Sequence, residues 1–268
     1  MKYIIWLLAI LLSSTVQAEP FKLNFGNDWF APGGLDRNLT NEFDIHYGDW
    51  GIGNEMYTPT HKRNPLPPYG DRPWDGYSYL EHVDTKKVAF GEENVLVKRI
   101  GALGHASHTD DLQRYVHDNL GLGAHPTWAG QNPSEVAVDM IYFRRNREYL
   151  QSVVGDSRMT TEYGARFGNV VDEVFLDQEL TKHFFKHLYV FGGVRAAAVA
   201  FNTHLDGRLF QDNIYTIDKN WFVAEGRLGA DFRYDSWFVG YTWTYLTEEF
   251  KGQDGRHLMG NIHFGFEF

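Results

Sequence analysis

Three groups of residues in this chain could do chemistry. Gln113 and His117 stand four positions apart in residues 107–121. If that segment is helical, the two side chains share one face. A histidine held beside an amide can act as a general base, because its unperturbed pKa lies near working pH. The chain has 12 histidines, so an incidental surface or packing role for His117 competes with that reading. Asn27-Asp28 forms the second group, at the end of an early strand-like run. Their side-chain oxygens suit a hard cation such as calcium, although Asn and Asp are also common turn residues. Asp36-Arg37 and Thr40-Asn41 follow, with the same two readings open. Lys62, Arg63 and Arg72 are the third group, in the Pro-rich stretch 59–73. They suit an anionic head group, since Lys and Arg pair with phosphate, or simply a solvated loop. No Gly-X-Ser-X-Gly elbow and no His-Glu-X-X-His occurs, so a serine nucleophile has no local support.

These groups must be held by strands. Phe222, Ala224, Gly226, Leu228, Ala230, Phe232 and Tyr234 alternate with Glu225, Arg227, Asp231 and Arg233. Trp237, Val239, Tyr241, Trp243 and Tyr245 repeat the pattern after a tight turn at Asp235-Ser236. Leu258, Gly260, Ile262, Phe264, Phe266 and Phe268 repeat it again, opposite Asn261, His263 and Glu267. Period two over ten or more residues is a strand signal. Strands this long, with aromatic outer faces and polar inner faces, fit a transmembrane antiparallel β-barrel. A soluble sandwich or lipocalin-like barrel would alternate too, but with shorter strands and fewer outward aromatics. Further strands are expected over 21–30, 41–48, 77–84, 87–99, 135–144, 161–168, 170–177, 187–200 and 209–217, which brings the count to about 12. Residues 107–121 break this pattern and read as a short helix over one connection. Ser107 and Asp110 have capping-box spacing, and Gly121 can stop the helix.

Composition agrees with export. The chain has 268 residues, 16% of them aromatic, with a mean hydropathy of −0.41. Large apolar side chains are therefore interleaved with polar ones, which excludes disorder. After the N-terminus no apolar run approaches the length of a membrane-spanning helix. Lys2, the apolar run 4–12 and Val16-Gln17-Ala18 read as a signal peptide over 1–18, with the barrel over 19–268. A retained anchor is the weaker alternative, because the apolar run is too short to span. Without those 18 residues the chain carries 24 basic and 35 acidic groups, which excludes a general nucleic-acid binder. With no cysteine, stability must come without disulfides, and closing a barrel is one route.

Several motifs, in order, resemble the outer-membrane lipid A 3′-O-deacylase family. They are Gly26-Asn27-Asp28, Asp36-Arg37-Asn38-Leu39-Thr40-Asn41, Tyr57-Thr58-Pro59 before Lys62-Arg63, and Gly70-Asp71-Arg72-Pro73. Gly101-Ala102-Leu103-Gly104, Gln113-Arg114-Tyr115-Val116-His117 and Trp128-Ala129-Gly130-Gln131 complete the set, which runs over about 21–135. The resemblance implies a twelve-stranded barrel that removes the 3′-linked acyloxyacyl chain from lipid A with the help of calcium. It implies His117 as the base that activates water, with Gln113, Asn27, Asp28 and Thr40 as the other polar site residues. Asn27 and Asp28 would face the cation, and Lys62, with Arg63 and Arg72, the lipid phosphate. A monomer is expected of an enzyme whose substrate diffuses laterally to its wall. A non-catalytic channel and an outer-membrane phospholipase are the other functions such a barrel could serve.

Overall fold

The computed structural model describes residues 19–33, 37–60, 66, 70–121, 126–152, 155–212 and 215–267. The expected signal peptide, Asp36, and Lys62 with Arg63 lie outside the described residues. Twelve antiparallel strands form one closed barrel in sequence order, with β1 paired to β12. They are β1 Phe21–Asn27, β2 Asn38–Tyr47, β3 Trp50–Thr58, β4 Asp75–Ala89, β5 Glu92–Leu103 and β6 Glu135–Ser152. The second half is β7 Gly155–Gly168, β8 Val171–Phe185, β9 Leu188–Asn202, β10 Phe222–Tyr234, β11 Trp237–Leu246 and β12 His257–Phe266. Helix α1 spans Thr109–Leu120 and a single turn, α2, spans Thr203–Asp206.

The alternation read from the sequence divides outside from inside. Trp237, Val239, Tyr241, Trp243 and Tyr245 of β11 all face out and remain 36–38% exposed. Arg227 of β10 faces in, where it makes a bidentate pair with Asp177 of β8 at 2.5 and 2.6 Å. Arg166 pairs with Asp139 at 2.7 Å and Arg99 with Glu81 at 2.5 Å, again from strand to strand across the inner face. Buried cations are tolerable only when paired in this way. Short turns join the strands at one end, and connections such as 59–74, 104–134 and 203–221 cluster at the other. Outer-membrane barrels place such long connections outside the cell.

Two strand expectations need correction. The described residues of 209–217 do not form a strand; Phe210 and Ile217 instead bond to Glu135 and Leu205. Strand β3 takes that place in the count. Its inner positions include Gly51 and Gly53 and its outer face carries Asn54 and Thr58, so no alternation shows. The expected strand 87–99 is the end of β4, a turn at Phe90-Gly91 and most of β5. The helix survives with a different start, since residue 108 adopts a left-handed conformation and supplies no side-chain cap. Asp110 pairs with Arg114 at 2.6 Å instead of closing a capping box, while Gly121 ends the helix at φ 64° as expected.

Removing Asp139 would leave the Arg166 guanidinium buried without its carboxylate. Asp139→Ala is expected to cost roughly 3 kcal/mol, read as an earlier urea midpoint for the barrel refolded in lipid vesicles.

Candidate active site on the outer wall

Strand register shows where the barrel's outer surface changes character. Leu23, Ile45, Ile52, Leu80, Ile100 and Val138 form one outward row across β1–β6. One row nearer the long connections, Phe25 and Phe43 are followed by Asn54, Ser78 and Ala102. In the next row Asn27, Asn41, Met56 and Gly76 stand side by side. The wall that meets lipid thus becomes polar at its outer end. A bulge between Leu39 and Asn41 interrupts β2 and turns Thr40 to this same face. There Thr40 Oγ1 lies 2.5 Å from Thr58 Oγ1, both residues buried.

Helix α1 covers this polar patch from outside the barrel. Asn54 Nδ2 donates to Ser78 Oγ and to Thr109 Oγ1, both at 2.7 Å. Ser78 Oγ donates to the Ser107 carbonyl at 2.7 Å. Gly76 makes this close docking possible, because a Cβ there would stand 2.4 Å from Thr109 Oγ1. Thr109, Asp110 and Gln113 are buried and Leu112, Val116 and His117 half-buried, so one helix face meets the wall. At the exposed start of the helix, Asp111 lies 3.0 Å from His108, a contact that holds its carboxyl below the usual range.

The returning connection locks the helix from behind. Trp128 Nε1 donates to Gln113 Oε1 at 2.6 Å, and its ring packs on Trp74, 5.0 Å between centroids, beside Met56. Asp75, next to Trp74, receives Arg208 at 2.6 and 2.8 Å and lies 2.9 Å from His204 Nδ1. Arg208 also donates to the Pro133 carbonyl at 2.7 Å, tying the end of that connection to the barrel mouth.

Four of the expected site residues divide between the wall and the helix, which meets the wall at β3 and β4. Asn27 and Thr40 are on the wall, and Gln113 and His117 are on the helix face turned toward it. Gln113 is not simply an amide donor beside His117, since its carbonyl is taken by Trp128. Asn27 ends β1, where its Oδ1 caps a 3-10 turn by accepting from Trp29 N at 2.8 Å. Asp28 opens that turn and is fully buried. The strand end thus separates the two neighbours, which a regular strand would send to opposite faces. Arg72 departs from the expected head-group cluster: it is fully buried, bonds Glu249 at 3.3 Å and lies over the Tyr57 ring at 4.5 Å. It is an internal strut of the mouth, held there because a buried guanidinium needs a carboxylate. Asn54, Ser78, Thr109, Trp74 and Trp128 were not foreseen. Their sequence signal was Asn54 and Ser78 at positions where a lipid-facing strand should be apolar.

The donor set suits calcium in kind. Asn41 Oδ1 and Asn38 Oδ1 are buried oxygens without a hydrogen-bond partner, close in sequence and register to Asn27 and Thr40. Together with the Asp28 carboxylate they offer the hard oxygen ligands that calcium prefers. Among the described residues no group of three or more acidic or histidine side chains is gathered in one place.

A closed twelve-strand barrel with an aromatic outer face and a polar, helix-covered patch on its wall defines an outer-membrane protein. The sequence matches the family model of outer membrane protein LpxR over 46–181 and 181–268, so the chain belongs to that family. The match begins beyond Asn27, Asp28 and Thr40 and continues through the C-terminal strands, further than the motifs alone reached. LpxR from Salmonella typhimurium superposes with a TM-score of 0.79 at 19% identity, covering 93% of this chain and 100% of that one. KdgM porin superposes at 0.43 with 7% identity, over 93% of this chain and 99% of its own. No curated protein matches the sequence.

Gly76→Val would push Thr109 off the wall while leaving the strand ladder intact. Limited proteolysis should then cut 104–134 at least about tenfold faster, with heat-modifiable migration of the barrel unchanged.

Proposed function

We propose that this chain is an outer-membrane esterase that removes the 3′-linked acyloxyacyl chain of lipid A. The observation that carries the reading is the polar patch on the lipid-facing wall, covered by a helix whose inner face bears His117. A channel has no use for polar groups turned toward lipid and then roofed over.

His117 takes a proton from water, and the water oxygen attacks the ester carbonyl. The resulting imidazolium sits in the last turn of α1, where the negative end of the helix dipole favours positive charge. Asn27 and Thr40 offer side-chain donors on the wall to the oxygen that gains charge in the tetrahedral intermediate. The imidazolium then returns its proton to the departing sugar oxygen as the carbon–oxygen bond breaks, giving a free hydroxyl and a carboxylic acid. Calcium, held by Asp28 with Asn38 and Asn41, would supply further positive charge beside that carbonyl. Gln113, fixed by Trp128, sets the helix face and so the direction of the imidazole. Lys62 and Arg63 hold a lipid A phosphate. The substrate reaches the site from the membrane plane, which a monomer allows, and residues 1–18 direct export.

Mass spectrometry of lipid A from cells expressing wild type or His117→Ala tests this. Wild type with calcium should lose the 3′ acyloxyacyl group, while His117→Ala should fall by about 10²- to 10⁴-fold. Chelation should abolish conversion by wild type. Full activity of a folded His117→Ala variant would overturn the assignment, and unchanged lipid A with folded wild type would overturn the reaction.

A further inference from the structure

Beside the covered patch, the outer wall carries a groove of about 540 Å³. Its sides are Phe43, Ile52, Leu80 and Ile100 of β2–β5, its floor includes Ala102, and Leu112 of α1 closes one edge. Of the polar residues at its rim, Asn54, Ser78 and Ser107 already spend hydrogen bonds on one another, Thr109 and the Gly104 carbonyl, and His108 meets Asp111. A sugar or peptide would find few partners there, whereas hydrocarbon would leave nothing unsatisfied. Ile52, Leu80 and Ile100 are 51, 44 and 58% exposed and belong to the outward row that meets lipid. The groove is therefore continuous with the membrane-facing belt and open to a chain arriving from it. Leu112 lies five residues before His117 on α1, a rise of about 7.5 Å, and neighbours the buried Gln113.

We infer that this groove holds one acyl chain of the lipid substrate and sets which chain lengths are accepted, with Ala102 as the residue that keeps its floor open. The inference rests on the esterase reading for its consequence, and on the groove's lining for its occupant. Ala102 lies opposite Ser78 on β4 and Val136 on β6, both on the outer face. A larger side chain at 102 would fill the channel from below without touching His117, Gln113, Asn27 or Thr40.

Two measurements separate the groove from the reaction. The chain contains no cysteine, so Ala102→Cys and Val194→Cys, each made in the His117→Ala background, carry one thiol apiece. Val194 is a lipid-facing control on β9. Alkylation by N-ethylmaleimide is followed in detergent micelles with and without hexa-acylated lipid A. Protection of at least about fivefold at position 102, with less than about twofold at 194, is expected of a chain seated in the groove. Equal effects at both positions would overturn occupancy, whatever the enzyme does. In the active background, Ala102→Phe should lower removal of long acyl chains about tenfold relative to short ones, while Val194→Phe leaves the ratio unchanged. An unaltered length ratio in folded Ala102→Phe would overturn the specificity role. Protection at 102 with no deacylation by wild type would sink the esterase reading and leave the lipid groove standing.

Discussion

Everything at the candidate site follows from one geometric constraint. Successive side chains of a strand face opposite sides of a barrel wall, so a polar residue at an outward position is turned toward lipid. Asn54 occupies such a position in β3, flanked along its strand by Ile52 and Met56. Polar groups abandoned to hydrocarbon cost several kcal/mol each, so that position needs partners from outside the wall. Helix α1 supplies them through Thr109, while Ser78 and the Ser107 carbonyl complete the set. Gly76 gives the helix room to come that close. The wall demands a cover, and the cover brings Gln113 and His117 to the lipid side.

Precision comes from the barrel's inside and mouth. Ion pairs link nearby strands along the inner wall, which stiffens the cylinder on which the site is built. At the mouth, Asp75 gathers Arg208 and His204. Through Trp74 on one side and Pro133 on the other, that cluster anchors the segment carrying Trp128. Trp128 then fixes Gln113. A chain of buried contacts thus runs from an internal ion-pair cluster to a helix outside the wall. Arg72, with Glu249 and Tyr57, belongs to the same mouth packing. That explains why an arginine in a motif shared with the family does not lie on the loop surface.

The sequence made some of this legible and concealed the rest for physical reasons. Strands β10–β12 alternate large aromatics with charges because one face meets lipid and the other the polar interior. Strand β3 was hidden by the site itself, since Asn54 and Thr58 replace the apolar residues that mark an outer face. The apolar residues Leu209, Phe210 and Ile217 imitate a strand, yet Leu209 and Phe210 are exposed and the segment is held by backbone bonds from Phe210 to Glu135 and from Ile217 to Leu205. The shared helix face of Gln113 and His117 could be read from spacing alone, and so could the stop at Gly121. Tertiary partners could not: Ser107 and Asp110 have the spacing of a cap, yet each is drawn to a different neighbour. Nor does a sequence show that a bulge in β2 turns Thr40 outward.

The claim that matters most is that the reaction takes place at the outer wall, on lipid that never leaves its leaflet. Vesicles in which the protein is inserted in one orientation, with isotopically labelled lipid A confined to either leaflet, address it directly. Conversion should be confined to lipid A in the leaflet at the α1 end of the barrel, and should proceed without detergent. Equal conversion in both leaflets, or conversion only after the lipid is dispersed in detergent, would contradict a site entered from the membrane plane.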